Sequence, residues 1–152
     1  DQILHQNRSN DGINKILIVD DQQFNIDAIE IIIEYGLDPK IRKFCECVYN
    51  GKQAVDAVMQ NVKNNRGKFC SYNLILIDCN MPFMDGYQAT TLIREFLFGM
   101  SLEQPIITAI TGHVEDHNVD KGFKSGMNLV ASKPLKIEVI RELLIQTHYL
   151  EH

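Results

Sequence analysis

Five side chains, separated in the chain, carry the residue types for a single chemistry: Asp20, Asp21, Asp78, Thr111 and Lys133. Three carboxylates brought together repel one another and raise each other's pKa values unless something positive sits among them. A hard divalent cation resolves that most simply, and Mg2+ takes a few carboxylate or carbonyl oxygens while keeping several waters. Lys133 adds a point charge on a flexible stem, and Thr111 adds a hydroxyl that can donate to an anionic oxygen. A cation, an ammonium and a hydroxyl around one carboxylate suit a phosphoryl group. Carboxylates attack phosphorus to form acyl phosphates, and catalysis then consists mainly of positioning and charge neutralisation. Asp78 is the nucleophile candidate because it stands alone, whereas Asp20 and Asp21 form a pair fit to hold the metal. Taken singly, each has a plainer reading: an acidic helix start for Asp20-Asp21, a turn residue for Asp78, a solvated loop lysine for Lys133.

The joint reading requires one fold to bring the five together. Residues 15–19 (K-I-L-I-V) and 74–77 (L-I-L-I) are continuous apolar runs of the kind found in strands buried on both faces. A weaker strand is expected at 43–49, a fourth at 105–110 and a short fifth at 128–131. Helical periodicity fills the intervals, at about 24–35, 52–64, 87–98, 114–125 and 136–148, with Gly36 as a C-terminal cap, an Asn50-Gly51 turn and Gly126 as a stop. Strict alternation of strand and helix predicts an α/β fold: a doubly wound, flavodoxin-like five-stranded parallel sheet of order 2-1-3-4-5, with helices on both faces. In such sheets the ligand crevice lies outside the carboxyl ends of the strands, at the switch point between the first and third. Asp20-Asp21, Asp78, Thr111 and Lys133 stand at the ends of strands one, three, four and five.

Composition sets the frame. The chain has 152 residues, 15 Lys and Arg against 20 Asp and Glu, and a formal net charge of -5, so no global basic field favours nucleic acid or an anionic membrane. One domain of this length needs no disulfide or metal to hold a core. No apolar run is long enough to span a bilayer and residues 1–14 do not resemble a leader, so a cytoplasmic chain is expected. Residues 1–14 read as a polar linker, 15–149 as the domain, and 150–152 as an expression-tag remnant. Cys45, Cys47, Cys70 and Cys79 are irregularly spaced and expected to be reduced thiols; Cys45 and Cys47 read as alternate residues on a strand.

Four separated motifs, in order, carry a family likeness. V-D-D at 19–21, D-C-N-M-P-F-M-D-G at 78–86, T-G at 111–112 and G-M-N-L-V-A-S-K-P-L at 126–135 together resemble the receiver domain of two-component response regulators. The resemblance covers about 15–149. It implies that Asp78 accepts phosphate from the phosphohistidine of a histidine kinase or a histidine phosphotransfer domain. It further implies that Asp21 binds Mg2+ directly, Asp20 mostly through water, that Asn80 adds its backbone carbonyl, and that Thr111 and Lys133 bind the phosphoryl oxygens. Such a domain catalyses its own phosphorylation and dephosphorylation without being a turnover enzyme, and phosphorylation biases two conformations, as a monomer or a phosphorylation-dependent dimer. Asn25, the N-M-P-F-M-D-G loop and the S-K-P-L ending look most like receivers of hybrid sensor histidine kinases. The alternatives are a stand-alone phosphorelay regulator and, further off, a Mg2+-dependent phosphatase working through an aspartyl phosphate.

The likeness breaks at Val130, where many receivers carry a Tyr or Phe three residues before the lysine; that puts the usual output surface of the fourth helix, fifth strand and fifth helix in doubt. Asp85 reads as a cap or turn residue, Met81 and Met84 as loop anchors, and Tyr87 as the start of the third helix. His113 either flanks the site, tuning water access with Asn80, or is a surface histidine. His117 and His148 are expected to be solvated, and His5 lies in the linker.

Overall fold

The computed structural model describes residues 14–152. The linker read over 1–14, apart from Asn14, lies outside the described residues, as does His5. Five parallel strands form one sheet in the order β2-β1-β3-β4-β5, and the expected flavodoxin-like topology holds. The strands are β1 (Lys15–Val19), β2 (Cys45–Val48), β3 (Tyr72–Asp78), β4 (Ile106–Thr111) and β5 (Leu129–Ser132). The helices are α1 (Gln23–Ile31), α2 (Gly51–Asn64), α3 (Gly86–Gly99), α4 (Asp116–Ser125) and α5 (Ile137–Gln146).

The continuous apolar runs divide between two cores because successive strand residues point to opposite faces. On one face Ile16, Ile18, Leu74 and Leu76 meet Ile26, Ile29 and Ile33 of the α1 segment and Ile140, Leu143 and Leu144 of α5. On the other, Leu17, Val19, Ile75 and Ile77 meet Ala54, Val58 and Val62 of α2 and Ile93 and Leu97 of α3. The edge strand β2 is only half-buried throughout, as a poorer apolar run requires. Tyr149 and Leu150 pack against the α1–α5 layer.

Two local expectations are corrected. The first helix does not end on a left-handed glycine: after Ile31 it widens into a π-helical turn, Ile32–Leu37, that contains Gly36. Gly36 faces α5 there: a Cβ would lie 2.9 Å from the terminal Cδ1 of Ile137, which would have to shift to admit it. A 3-10 segment, Pro39–Phe44, then follows, capped by Asp38 and burying Ile41, and it takes the first residues assigned to the second strand. Gly126 does stop α4 in the left-handed region, at φ 105°.

Candidate functional site

β1, β3, β4 and β5 run in register to one rim of the sheet, and that rim gathers all five sequence-picked side chains. Asp20 and Asp78 are 2% exposed and Thr111 is 1% exposed, while Asp21 is half-buried. Carboxylate oxygens of Asp20, Asp21 and Asp78 lie within 4.8 Å of one another. Lys133 Nζ reaches between two of them, 3.4 Å from Asp20 Oδ2 and 3.1 Å from Asp78 Oδ2.

Each side chain is held by its own element. Asp20 Oδ1 accepts from the Gln22 backbone N–H at 2.9 Å and from Asn25 Nδ2 at 3.3 Å, so the start of α1 orients it. Asp78 Oδ1 accepts from the Asn80 N–H at 3.1 Å. The Asn80 side-chain amide points across to Thr111 Oγ1 at 3.4 Å, and the His113 N–H donates to the same hydroxyl at 3.1 Å. The Lys133 N–H bonds the Thr111 carbonyl at 2.8 Å, which carries the β4–β5 pairing up to the lysine.

The loop from β3 to α3 folds back onto the site because residue 86 is glycine. A Cβ at Gly86 would lie 2.3 Å from the Asp78 carbonyl oxygen, and the Gly86 N–H bonds the Cys79 carbonyl at 3.1 Å. Asp85 takes the capping role read for it: with Gln88 it forms a reciprocal capping box at the start of α3. Tyr87 begins that helix, is buried, and is hydrogen-bonded to Cys79 next to Asp78.

Electrostatics follow from crowding. Burial, and then Asp20, push the Asp78 carboxyl above its ordinary range, against the opposing pull of the Asn80 N–H and Lys133. Burial alone would lower Lys133, but Asp78 and Asp20 outweigh it and hold the ammonium above its usual pKa. The rim therefore carries an excess of negative charge that one lysine does not offset. It consists of hard oxygen donors, which is the donor set a Mg2+-sized ion takes.

The remaining sequence-picked residues lie elsewhere. The His113 side chain is exposed, and His117 pairs with Glu115 at 3.5 Å. Cys45 and Cys47 are free thiols on β2; Cys47 Sγ donates to Glu30 Oε1 at 2.9 Å, and burial, reinforced by that carboxylate, pushes Cys47 up to about 12. Val130 is half-buried, 2.6 Å from where a Cβ of Gly122 would stand, so α4 seats on the sheet by close approach of a glycine.

Two surface features escaped sequence reasoning. Phe24, Ala28, Ile31 and Tyr35 are all exposed, forming an apolar stripe along the α1 segment. Phe83, in the loop after Asp78, is fully exposed at φ 69°. The available signal was the surplus of isoleucine: four at 29 and 31–33 exceed what one buried helical face takes.

Comparison with known proteins bears on this rim. Residues 16–145 match the family model described as the response regulator receiver domain. Over 144 residues the chain is 31% identical to hybrid signal transduction histidine kinase B of Dictyostelium discoideum; the match takes in 90% of this chain but only 7% of that protein. Among solved structures, the receiver domain of the histidine kinase CKI1 from Arabidopsis thaliana, complexed with Mg2+ and BeF3-, superposes with a TM-score of 0.71. It is 26% identical and covers 86% of this chain and 89% of that one. The receiver domain of Ssk1, crystallised with the histidine phosphotransfer protein Ypd1 of Saccharomyces cerevisiae, shares the fold at 21% identity and a TM-score of 0.71, over 88% of each chain. With the motif-bearing span matched almost whole and the acidic rim assembled at the strand ends, the chain belongs to the response regulator receiver domain family.

Proposed function

We propose that the domain is a Mg2+-dependent phosphoacceptor in a His-Asp phosphorelay, taking a phosphoryl group onto Asp78 from a phosphohistidine. The observation that carries this reading is the three-carboxylate cluster with Lys133 reaching into it. Asp20, Asp21, Asp78 and the Asn80 backbone carbonyl would hold the ion, and their all-oxygen character fits it. Bound there, Mg2+ supplies positive charge that screens the anionic phosphoryl oxygens. One Asp78 carboxylate oxygen attacks phosphorus while the bond from phosphorus to the donor imidazole nitrogen breaks, leaving an acyl phosphate and a free imidazole. Lys133 turns from the carboxylates to a phosphoryl oxygen, and the Thr111 hydroxyl, now aligned by Asn80 and the His113 N–H, donates to another. Asn25 keeps Asp20 oriented throughout.

A protein donor is favoured over a small substrate by the surface beside the rim. The apolar stripe of α1 begins at Phe24, four residues past Asp20, and Phe83 is exposed in the loop five residues past Asp78; exposed apolar area of this kind marks a protein contact. The donor is a histidine kinase or a histidine phosphotransfer protein. Likeness to hybrid kinases, of which the chain spans a small fraction, supports a receiver module within a larger cytoplasmic sensor kinase. The test is incubation with Mg2+ and a small phosphodonor, followed by intact mass. One labile phosphoryl adduct on the wild type and none on Asp78→Asn is expected; no adduct on either protein sinks the assignment.

A further inference from the structure

At the opposite end of the sheet from Asp78, the amino-terminal ends of β4 and β5 open into a groove against α5. Ile106, Leu129, Val139 and Leu143 supply its apolar lining, and its volume is about 440 Å³. A second hollow of about 620 Å³ shares Ile106 and Asn128 with it and continues to Phe98 of α3, which is largely exposed. Five residue steps along β4, about 16 Å, separate Ile106 from Thr111, so this surface is distinct from the phosphoacceptor rim.

Charge decides what the groove accepts. Glu138 and Glu142 stand on the groove's α5 wall, and Glu95 of α3 lines the second hollow. All three are exposed, and none forms an ion pair among the described residues. Among the described residues the groove itself has no cation in its lining; Arg94, in the second hollow, keeps its charge but turns its N–H groups inward, donating to the carbonyls of Gly126 and Pro105 at 2.8 and 2.7 Å, to Gln104 Oε1 at 3.0 Å and to Asn128 Oδ1 at 2.7 Å. An apolar floor beside the unpaired carboxylates of Glu138 and Glu142 complements a chain with apolar anchors and cations along one flank. We propose that this groove docks a basic amphipathic segment of a partner protein, independently of the phosphorylation state of Asp78.

The probe is a labelled synthetic peptide of leucine and lysine at helical spacing, compared with a leucine–glutamate and a serine–lysine counterpart, on the unphosphorylated protein. Anisotropy and backbone-amide NMR shifts are read together. The leucine–lysine peptide is expected to bind, with shifts centred on Ile106, Leu129 and Leu143, and the double variant Glu138→Lys/Glu142→Lys is expected to weaken it ~10-fold. Both positions are exposed, and circular dichroism checks that the variant is folded. The inference is overturned by absence of binding, by equal binding of either control peptide, by an unweakened double variant, or by shifts centred on the α1 stripe. Because no phosphate is involved, failure of the phosphoacceptor assignment leaves this result unaffected.

Discussion

Replacing Asp78 with Asn in metal-free protein is expected to stabilise the fold, because the carboxylate is buried beside two others at a cost in stability. Asp20 and Asp21 present oxygens within 4.8 Å of it, and at an effective dielectric of ~20 each repulsion costs at least about 3.5 kcal/mol. Lys133, 3.1 Å away, returns about 5 kcal/mol at the same dielectric. Pairwise charges thus leave roughly 2 kcal/mol against the ionised carboxylate, before the cost of burying it. Asn keeps the shape and the acceptor for the Asn80 N–H, so a gain of ~1–2 kcal/mol, or about 5 °C in Tm, is expected.

The pH dependence has a definite sign. The folded pKa of Asp78 lies above its unfolded value of 3.8, so the folded protein binds the extra proton and the wild type loses stability as pH rises from 3.8 through the raised pKa. The variant lacks that loss, and its advantage disappears in acid. Adding Mg2+ at 100 times its Kd stabilises the wild type by about 2.7 kcal/mol and the variant by less. Thermal melts of both proteins in chelator and in Mg2+, across pH, provide the assay. An Asn variant no more stable than wild type in chelator, or an equal Mg2+ shift in both, refutes the electrostatic argument.

Lys133→Met removes the only ammonium that touches Asp20 and Asp78 among the described residues, and is expected to destabilise the metal-free protein by about 3 kcal/mol in urea denaturation. Since Lys133 is raised above 10.5 in the fold, its contribution is complete below pH 10.5 and lost as pH rises through the raised value; the variant should lack that alkaline step. Gly86→Ala drives a methyl into the Asp78 carbonyl and should cost more than about 2 kcal/mol together with most of the phosphorylation rate. Ile31→Glu and Phe83→Ser change exposed residues. Both should slow phosphotransfer from a phosphohistidine protein by ~10-fold while leaving labelling by a small phosphodonor at the wild-type rate; equal slowing with both donors counts against a docking role.

Much of this architecture is written in local pattern. β1 and β3 are continuously apolar over Ile16–Val19 and Leu74–Ile77 because helices cover both faces, and the acidic residues that follow these runs, Asp20 and Asp78, therefore fall at the rim. Asp85 as a cap followed from the glycine after it, and Gly126 from the end of periodicity. The first helix was harder: its isoleucines cannot all be buried, and nothing in their spacing says that Ile26, Ile29 and Ile33 go inside while Ile31 stays out. The π-helical turn shifts the face presented over Ile32–Leu37, and Gly36 within it faces Ile137 of α5, a neighbour distant in sequence.

Sequence alone thus determined the alternation of strands and helices, the sheet order, and the set of residues standing at the carboxyl ends. Hydrophobic period and the handedness of parallel crossovers are properties of short stretches of chain. Only the tertiary structure decided that Lys133 reaches both Asp20 and Asp78, that the α1 stripe is uncovered, and that α5 leaves Glu138 and Glu142 above an apolar groove. Those outcomes depend on how side chains from remote elements close against one another, and that packing is set by distances no local pattern contains.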